Sequence, residues 1–587
     1  MMLSAFALIA CCLASVVLGA PYSNFAQHHL PPTLLSSRHI LRARSLTDLK
    51  DNAALTDCLL SSRLNVIDPA RNDSSMYWDA AQSDNLAFHF HPYAIVYPRS
   101  TQEVSAAVIC AAKNGNVAVA ARSGGHSFGG FGSGGQDGSL IVDLVRLGDI
   151  HSDSAKGVAN VGPGARLGDV VKGLWHSGKR GMPHGTCPPV GVGGHALCGG
   201  FGPTSRLWGM TTDNILEAEV VLSNGTVVVA NKDNHEELFW GLRGAGSFFG
   251  IVTRFTFKTY DVAGPWVFLE YRWTSSLKTV ADTVKTIEAI QAFAMSESNP
   301  AELGFHLQIQ QPNMGDPPGG TVSMHMRGAF RGSLATFNGT VAQALQAELD
   351  RRGLPLVPDG VRTDEVDYLR LMEDWDDFGK ADDKLDTLAE RLRHNQFLAR
   401  TSLTMDNTKA LSTAAVDNVV QLLWQRAKAS TSTENWAWNV YMELFGGSHA
   451  RHLDKELVEA SSMQQRDALW LIQTSVGMMP NTPFNIEARN LLQQIDAKWK
   501  QSLANDGIVE KSYSCYVDLS LGDEEWKEAY YGKEALERIT ILKHRYDPID
   551  LFRNPHRIPR IDDKKTLSKI GGDAGDNYVA VSHPLPR

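Results

Sequence analysis

The stretch that decides the fold of this chain is Gly185-Thr186-Cys187-Pro188-Pro189-Val190-Gly191-Val192-Gly193-Gly194-His195. A second glycine-rich stretch, Arg122-Ser123-Gly124-Gly125-His126-Ser127, precedes it by about 60 residues. Each stretch carries one nucleophilic side chain, the imidazole of His126 or the thiol of Cys187, beside backbone that has no Cβ atoms. Main-chain amides in such loops can approach a large anionic cofactor closely. The pair therefore indicates a flavin tethered at two points, and hence a redox enzyme.

A metal site is the main competitor, because His126, His184, Cys187 and His195 are all metal-ligand residue types. The spacings contain no CxxC or HxxxH element, however, and a metal would leave the glycines unexplained. The glycines make sense if backbone amides surround a pyrophosphate. They occupy positions 124, 125, 129, 130, 185, 191, 193 and 194. The pattern is also not a Rossmann fingerprint, since no GxGxxG joins a strand to a helix with an acidic residue about 20 positions later.

The segments around the loops read as an α+β cofactor-binding unit over residues 60–262. Ala94–Tyr97, Val117–Ala121, Leu140–Leu144 and Val158–Val161 are predicted strands, and Val104–Asn114 and Leu167–Ser177 are predicted helices. Ser223-Asn224-Gly225 between two β-branched runs predicts a hairpin. From about Trp266 to Val509, strands such as Trp266–Tyr271 alternate with helices such as Val280–Met295. This alternation of strands and helices predicts a second α+β domain with an exposed sheet surface.

Bulk properties are those of a globular protein with 587 residues, 43% hydrophobic residues, 21% charged residues and a formal net charge of −9. The length favours two or more domains. No stripe of Lys and Arg stands out, so we expect no nucleic-acid partner. No segment after the first 20 residues has 18 consecutive apolar residues, so we expect no membrane association.

The amino terminus favours secretion. Residues 1–20 are apolar from Leu3 onward and have the length of a signal peptide. Sequons at Asn72, Asn224 and Asn338 fit an extracellular glycoprotein. Five cysteines follow the leader, an odd number that leaves one unpaired or otherwise used. These five are Cys58, Cys110, Cys187, Cys198 and Cys515. Attachment of Cys187 to a cofactor would leave an even number of cysteines for disulfides.

Several motifs together resemble one family. Besides the two glycine stretches, they are Gly199–Gly202, Leu238–Val252, Tyr513–Asp518 and Lys543–Pro548. The chain resembles the berberine-bridge-enzyme-like flavoproteins of the vanillyl-alcohol-oxidase superfamily over roughly residues 55–560. Within that group, Gly202–Gly209 and Glu443–Gly447 are most similar to secreted fungal carbohydrate oxidases of the glucooligosaccharide-oxidase kind. The resemblance implies an α+β, two-domain fold with a PCMH-type FAD-binding domain and a substrate domain built on an antiparallel sheet.

The resemblance also implies the cofactor and its contacts. FAD would be bonded to His126 at the flavin 8-methyl carbon and to Cys187 at ring position 6. Ile251 and Val252 would contact the adenosine end. The implied cofactor-binding residues are His126, Cys187, Arg122, Ser123, Gly124, Gly125, Ser127, Gly191, Val192, Gly193, Gly194, His195, Gly200, Gly202, Ile251 and Val252. In this family a small branched residue at the position of Val192 is associated with access of dioxygen to the flavin.

The implied catalytic pair is Tyr516, which removes the hydroxyl proton, and Glu443, which assists it. A phenol with a pKa near 10 is a weak base, so a relay to a neighbouring carboxylate is the reasonable arrangement. Two residues depart from the family pattern. Glu443 stands where Asp is usual, and Cys515 stands at the usual Asn position, where a thiol is a weaker donor and acceptor. Cys515 as a reactive thiol and Cys515 paired with Cys198 both stay open, whereas the resemblance implies a Cys58–Cys110 disulfide.

The predicted organisation follows from these readings. It consists of a signal peptide (1–20), a flexible arm (21–55), the FAD domain (56–264), the substrate domain (265–510), a return to the FAD domain (511–560) and a tail (561–587). The predicted function is a secreted, monomeric oxidase that takes hydride from an alcohol, the anomeric hydroxyl of a sugar first of all, and reduces dioxygen to peroxide. Trp436, Trp438 and Tyr441 would stack on sugar rings or pack in a core. The alternatives are a secondary-metabolite oxidoreductase and a non-catalytic carbohydrate-binding scaffold.

Overall fold

The computed structural model describes residues 53–559 apart from 73, 116, 274–275, 312–319, 355–359, 376–394, 431–433 and 480–481. The predicted signal peptide and tail lie outside the described residues, as does all but the end of the predicted arm. The first described helix, Ala53–Ser61, begins inside that arm. Its residues Leu55 and Leu59 are fully buried, so the end of the segment predicted as a flexible arm is part of a packed helix.

The first sheet has four strands. In spatial order they are Val66–Ile67, Ala94–Val96, Leu140–Asp143 and Val119–Arg122. The last three run parallel, and the helix Thr101–Lys113 makes the crossover between two of them. Strands covered on both faces read as continuous apolar runs, as Ala94–Val96 does here. Ser100 begins the crossover helix by accepting a hydrogen bond from the amide of Glu103 at 3.2 Å.

The second sheet has five antiparallel strands. In spatial order they are Ile150–Asp153, Val158–Val161, Ile251–Lys258, Ile215–Val221 and Val227–Asn231. The last two form the hairpin that the turn sequence predicts, with Gly225 at a φ of +83°. A two-stranded ribbon pairs Arg180–Gly181 with Tyr260–Asp261. The helices of this half are Ala53–Ser61, Ser74–Ala81, Thr101–Lys113, Leu167–His176, Val192–Cys198, Ser205–Trp208 and Glu236–Ala245.

The third sheet is large and antiparallel throughout, as predicted for the substrate domain. Its eight strands are, in order, Gly360–Val366, Trp266–Trp273, Ser323–Arg331, Leu303–Gln310, Trp436–Leu444, Ala468–Met478, Phe397–Met405 and Glu510–Lys511. The helices of this half are Val280–Ala294, Leu334–Gly339, Val341–Asp350, Tyr368–Trp375, Thr413–Ala429, Lys455–Glu459 and Ile486–Asn505. Five of them contribute apolar residues to one core against the sheet, including Ile287, Phe337, Leu345, Leu423 and Ile495.

The chain then returns to the first half. The helices Asp523–Tyr530 and Gly532–Tyr546 place Trp526, Ile539 and Leu542 in the core formed with the second sheet. Five short 3₁₀ turns complete the described secondary structure: Phe131–Ser133, Leu144–Arg146, Thr212–Asn214, Gly246–Phe248 and Arg451–Leu453. The fold class is therefore the predicted one, a two-domain α+β fold in which the large sheet faces the cofactor loops.

Candidate active site

One long cavity runs between the glycine loops and the uncovered face of the large sheet. Both glycine stretches line it, with His126 and Cys187 on its wall. The sheet contributes residues of five strands, and the returning segment contributes Tyr513 to Val517. Thirteen of the sixteen residues predicted to hold the cofactor therefore share one cavity with the two predicted to react with substrate.

The two glycine stretches pack directly against each other. A Cβ atom on Gly124 would lie 2.2 Å from the amide nitrogen of Gly191, and one on Gly191 would lie 2.0 Å from Ser123 Oγ. Ser123 Oγ donates to the carbonyl of Pro163 at 2.5 Å and accepts from the amide of Gly193 at 3.2 Å. No side chain fits at either glycine, so these residues are required by contact between the loops as well as by any ligand.

Three predicted cofactor contacts do not line the cavity. Arg122 is buried behind the loop, where its Nε donates to Asp143 Oδ2 at 2.7 Å. Val192 is fully buried in the core together with Ala196, one helical turn away, while Gly193 and Gly194 face the cavity. Gly200 donates its amide hydrogen to Tyr513 Oη at 2.8 Å and packs against Thr211. The other thirteen residues predicted to bind cofactor all lie on the cavity wall.

His126 has an acidic neighbour that the sequence analysis missed. Its Nδ1 lies 3.5 Å from Asp84 Oδ2, and Asn395 Nδ2 donates to both carboxylate oxygens of Asp84 at 3.1 Å. Asp84 and Asn395 lie far from His126 in sequence and belong to no motif, so no local signal pointed to them. A carboxylate beside an imidazole orients the ring and stabilises its protonated form.

Cys187 is buried, and it is the one described cysteine outside a disulfide. The histidines that the metal hypothesis would group with it have other contacts. His195 Nε2 accepts a hydrogen bond from the amide of Gly185 at 2.9 Å, and burial lowers its pKa to about 3. His184 Nε2 lies 3.2 Å from Tyr368 Oη. Among the described residues, no group of three or more His, Cys, Asp or Glu side chains is placed to hold a metal ion.

The cavity wall fits FAD. Ser127 Oγ is a buried hydroxyl on the wall with no hydrogen-bond partner in the described protein, as expected where a ligand supplies the partner. A Cβ on Gly194 would meet no protein atom within 4 Å, so protein packing does not explain this glycine, whereas a ligand in the cavity would. Beyond the glycines the wall turns apolar, as an adenine ring requires, with Val119, Leu144, Ile251, Val252 and Phe552.

The strand Trp436–Leu444 places Glu443 on the cavity side. Successive side chains of a strand point to opposite faces, so Glu443 and Tyr441 face the cavity while Trp436 and Trp438 enter the helix-covered core. The hypothesis that the two tryptophans stack on sugar is therefore wrong, and Tyr441 alone of the three is available to a ligand. Burial raises the pKa of the Glu443 carboxyl to about 7, although its bond to Tyr516 acts in the opposite direction.

Tyr516 meets Glu443 across the cavity. Its hydroxyl donates to Glu443 Oε1 at 3.2 Å, and its ring stacks on Phe128 at 5.0 Å between centroids. Phe128 follows the first glycine stretch, so the phenol contacts the sheet and the cofactor loop at once. The two residues predicted as the catalytic pair, 73 positions apart, are brought into hydrogen-bonding contact.

The rest of the sheet wall is polar and mostly neutral. His306 lies opposite Glu443 in the strand register, and burial lowers its pKa to about 3, so its imidazole is uncharged at neutral pH. Gln308 and Gln473 both pair with Tyr441 from the neighbouring strands. Arg327 is the cation on this wall, and its guanidinium donates to Glu270 Oε1 at 2.6 Å.

Two disulfides account for the remaining described cysteines. Cys58 pairs with Cys110, as the resemblance implies. Cys198 pairs with Cys515, which resolves the question that the sequence left open and rules out Cys515 as a reactive thiol. In the described part of the chain, no helix combines the length and apolar character needed to cross a bilayer.

Comparisons with known proteins agree with this geometry. Residues 92–231 match the model of the FAD binding domain, and residues 512–559 match the model named berberine and berberine like. The chain is 30% identical to a chitooligosaccharide oxidase of Gibberella zeae over 86% of this chain and 94% of that protein. It is 31% identical to a xylooligosaccharide oxidase of Thermothelomyces thermophilus over 90% of this chain and 99% of that protein.

A solved structure of glucooligosaccharide oxidase from Acremonium strictum superposes with a TM-score of 0.74 at 27% identity, covering 86% of this chain and 99% of that one. Its description names a 6-S-cysteinyl, 8α-N1-histidyl FAD. The two family models match the part of the chain that carries both glycine loops and the returning segment that carries Tyr516. The chain belongs to the berberine-bridge-like family of FAD-linked oxidases, which includes the fungal oligosaccharide oxidases.

Proposed function

We propose that the protein oxidises the anomeric hydroxyl of a sugar or oligosaccharide to a lactone and passes the electrons to dioxygen, giving hydrogen peroxide. The observation that carries the proposal is the Tyr516–Glu443 hydrogen bond in the cavity that His126 and Cys187 also line. FAD in this cavity would supply the hydride acceptor and the reaction with dioxygen. Attachment of the cofactor, binding of the substrate and transfer of the hydroxyl proton are assigned to side chains of the protein.

FAD would be held by His126 and Cys187 through two covalent bonds. The fit of Ser127 and Gly194 to a ligand supports this assignment, as does the doubly linked flavin described for the Acremonium enzyme. His126 would present its ring with Asp84 behind it, and Cys187 would supply the only described thiol outside a disulfide. The thirteen cavity-lining residues named in the sequence analysis would surround the cofactor.

Tyr516 would accept the substrate hydroxyl proton while donating its own to Glu443. The phenol is hydrogen-bonded to Glu443 Oε1, so the two transfers are coupled along one existing bond. A carboxyl with a pKa near 7 is a better proton acceptor than an ordinary glutamate, provided that it is ionised. Burial of Glu443 thus serves the relay and makes activity rise with pH through neutrality.

The substrate would bind between the flavin and the sheet. Tyr441, Gln308 and Gln473 present an aromatic face, donors and acceptors without net charge, which suits a neutral sugar. The names of the chito- and xylooligosaccharide oxidases point to the same class of substrate. We assign the FAD domain to residues 56–264, the substrate domain to 265–510 and the return segment to 511–560.

A spectrum and a substrate panel test the proposal. Yellow colour that survives acid precipitation would support covalent FAD, and peroxide release with glucose-, xylose- or chito-oligosaccharides would support the reaction. A colourless protein would overturn the cofactor assignment. A yellow protein whose flavin none of these sugars reduces under anaerobic conditions would overturn the sugar assignment and favour the secondary-metabolite alternative.

We further propose that the protein is secreted. Two disulfides in the described chain are typical of oxidising compartments. The sequon residues Asn224 and Asn338 are exposed and therefore accessible to glycosylation. Recovery of the protein from culture medium, with a mass that falls on treatment with a glycosidase, would test this point. Retention in the cell with intact thiols at Cys198 and Cys515 would contradict it.

A further inference from the structure

The Cys198–Cys515 disulfide lies directly beside the proposed base. It joins the last residue of the helix Val192–Cys198 to the residue before Tyr516, across 317 positions of sequence. Both cysteines are on the cavity wall. The bond therefore ties a helix that carries cofactor-loop glycines to the segment that carries the phenol.

The segment around Tyr516 has no regular secondary structure, since residues 512–522 contain neither helix nor strand. Two residues of this segment, Tyr513 and Ser514, form hydrogen bonds with residues 198–201, the stretch that begins at Cys198. Tyr513 Oη accepts hydrogen bonds from the amides of Gly200 at 2.8 Å and Phe201 at 2.9 Å. Ser514 Oγ donates to the carbonyl of Cys198 at 3.1 Å. The disulfide is the covalent member of this set of contacts.

Glu443, the hydrogen-bond partner of Tyr516, is held in place by the sheet and does not depend on the disulfide. Glu443 is in the middle of a sheet, with strands paired on both sides. The geometry of the proton relay therefore depends on how firmly the loop that carries Tyr516 is held. A covalent bond beside Tyr516 restricts the backbone conformations of this loop before substrate binds. Less conformational entropy then has to be lost when the reactive arrangement forms.

We propose that the Cys198–Cys515 disulfide is a positioning element that holds Tyr516 in reach of Glu443, in place of the asparagine that the family pattern has at 515. The proposal rests on the proposed role of Tyr516 as base. Cys515 Sγ lies 3.9 Å from the carbonyl of His195, so that carbonyl is an acceptor within reach of an asparagine amide at 515. The disulfide supplies by covalent means the attachment that such a hydrogen bond would make.

The Cys58–Cys110 disulfide is the matched control. It joins the helices Ala53–Ser61 and Thr101–Lys113, and neither of its cysteines lines the cavity. Replacing either pair by serine removes one disulfide, so both variants lose stability. A purely structural role for Cys198–Cys515 predicts the same catalytic behaviour in the two variants, whereas a positioning role predicts a difference.

The test compares Cys198→Ser/Cys515→Ser with Cys58→Ser/Cys110→Ser as FAD-loaded proteins. We expect kcat on the best sugar to fall about 10- to 100-fold in the first variant, with KM changed less than about threefold, and no comparable loss in the second. We expect amide hydrogen exchange of peptides covering 512–520 to accelerate at least about tenfold in the first variant alone. The variant Cys198→Ala/Cys515→Asn should have a higher kcat than the double serine protein.

Unchanged kcat together with unchanged exchange in the first variant would overturn the proposal, and so would equal losses in the two serine variants. If the wild-type protein oxidises no sugar, the proposed function fails, but the exchange measurement still decides whether the disulfide holds the segment. If the first variant does not fold, dithiothreitol applied to folded Cys58→Ser/Cys110→Ser reduces the remaining bond for the same exchange measurement. Slow exchange after reduction would then refute the proposal.

Discussion

Replacement of Glu443 by glutamine tests the proton relay most directly. The amide keeps the shape of the side chain and its ability to contact Tyr516 Oη, which lies 3.2 Å from Oε1, but it cannot accept a proton. General-base assistance is worth about 10²- to 10⁴-fold, so we expect kcat of Glu443→Gln to fall within that range. The flavin spectrum should stay unchanged, because Glu443 is not among the residues proposed to hold the cofactor.

The raised pKa of Glu443 gives the prediction a pH signature. Below its pKa of about 7 the Glu443 carboxyl is neutral and cannot accept the proton of Tyr516. Wild-type kcat should therefore rise tenfold per pH unit well below pH 7 and become constant above pH 7. Glu443→Gln should lose that rise. Steady-state rates between pH 5 and 9, in a buffer series at constant ionic strength, would measure both profiles.

The same shift predicts an effect on stability. The folded state holds the Glu443 proton up to pH 7, whereas the unfolded chain releases it near 4.5, so stability falls as pH rises between those values. Glu443 is partly exposed to the cavity, so the shift of its pKa from 4.5 to about 7 corresponds to a loss of at most about 3 kcal/mol of stability above pH 7. Glu443→Gln should therefore match the wild type in denaturant unfolding near pH 4 and exceed it at pH 8.

The control is Glu510→Gln. Burial also raises the pKa of Glu510, which belongs to an edge strand of the same sheet but is not part of the cavity wall. Its replacement should leave the pH profile of kcat in place. If Glu443→Gln keeps the wild-type kcat, or keeps the rise of kcat with pH through 7, Glu443 is not the proton acceptor and the proposed relay is refuted.

Four further variants examine the rest of the site. Tyr516→Phe keeps the stack on Phe128 but removes the hydroxyl, so kcat should fall about 10²-fold or more with the melting temperature unchanged; a near-normal kcat would exclude Tyr516 as base. Asp84→Asn removes the carboxylate 3.5 Å from His126 Nδ1, and peptide mass spectrometry should show less flavin bonded to His126 while the Cys187 bond persists; full His126 attachment would contradict the orienting role. Trp438→Ala should destabilise the protein by about 3–5 kcal/mol in denaturant unfolding because Trp438 is fully buried, whereas Tyr441→Ala should mainly raise KM; the reverse pattern would contradict the assignment of the two strand faces.

Local sequence patterns predicted many of the helices, strands and turns of the fold. The turn at Ser223–Gly225, the helix that begins after Ser100 and the strand at Val158–Val161 all occur where the sequence predicts them, because each depends on residues within a few positions. The fold class and the FAD domain followed from motifs that resemble a family. The helix Ala53–Ser61 was missed at its first turn, since the burial of Leu55 depends on packing against the distant helix Thr101–Lys113.

Within the site, the sequence identified the residues that bring their own local signature. The glycine loops with His126 and Cys187 were predicted from composition, and Tyr516 and Glu443 from the resemblance, and all four residues line one cavity. It missed Asp84, and it could not decide which partner Cys515 takes. It also assigned Val192 to the cofactor, whereas Val192 is in the core because the short helix turns it to the side of Ala196. The direction of a side chain depends on what packs behind it, which a linear motif does not record.

The sequence by itself determined that two cofactor loops exist, which reactive groups they carry and that a sheet domain follows them. The tertiary structure decided the pairings over long separations: Tyr516 with Glu443, Cys198 with Cys515 and His126 with Asp84. It also decided which strand face meets the cavity, so that Glu443 is there and Trp438 is not. The physical reason is that backbone conformation responds to neighbours along the chain, whereas the meeting of distant side chains, and the raised pKa of Glu443 with it, depends on how whole layers pack.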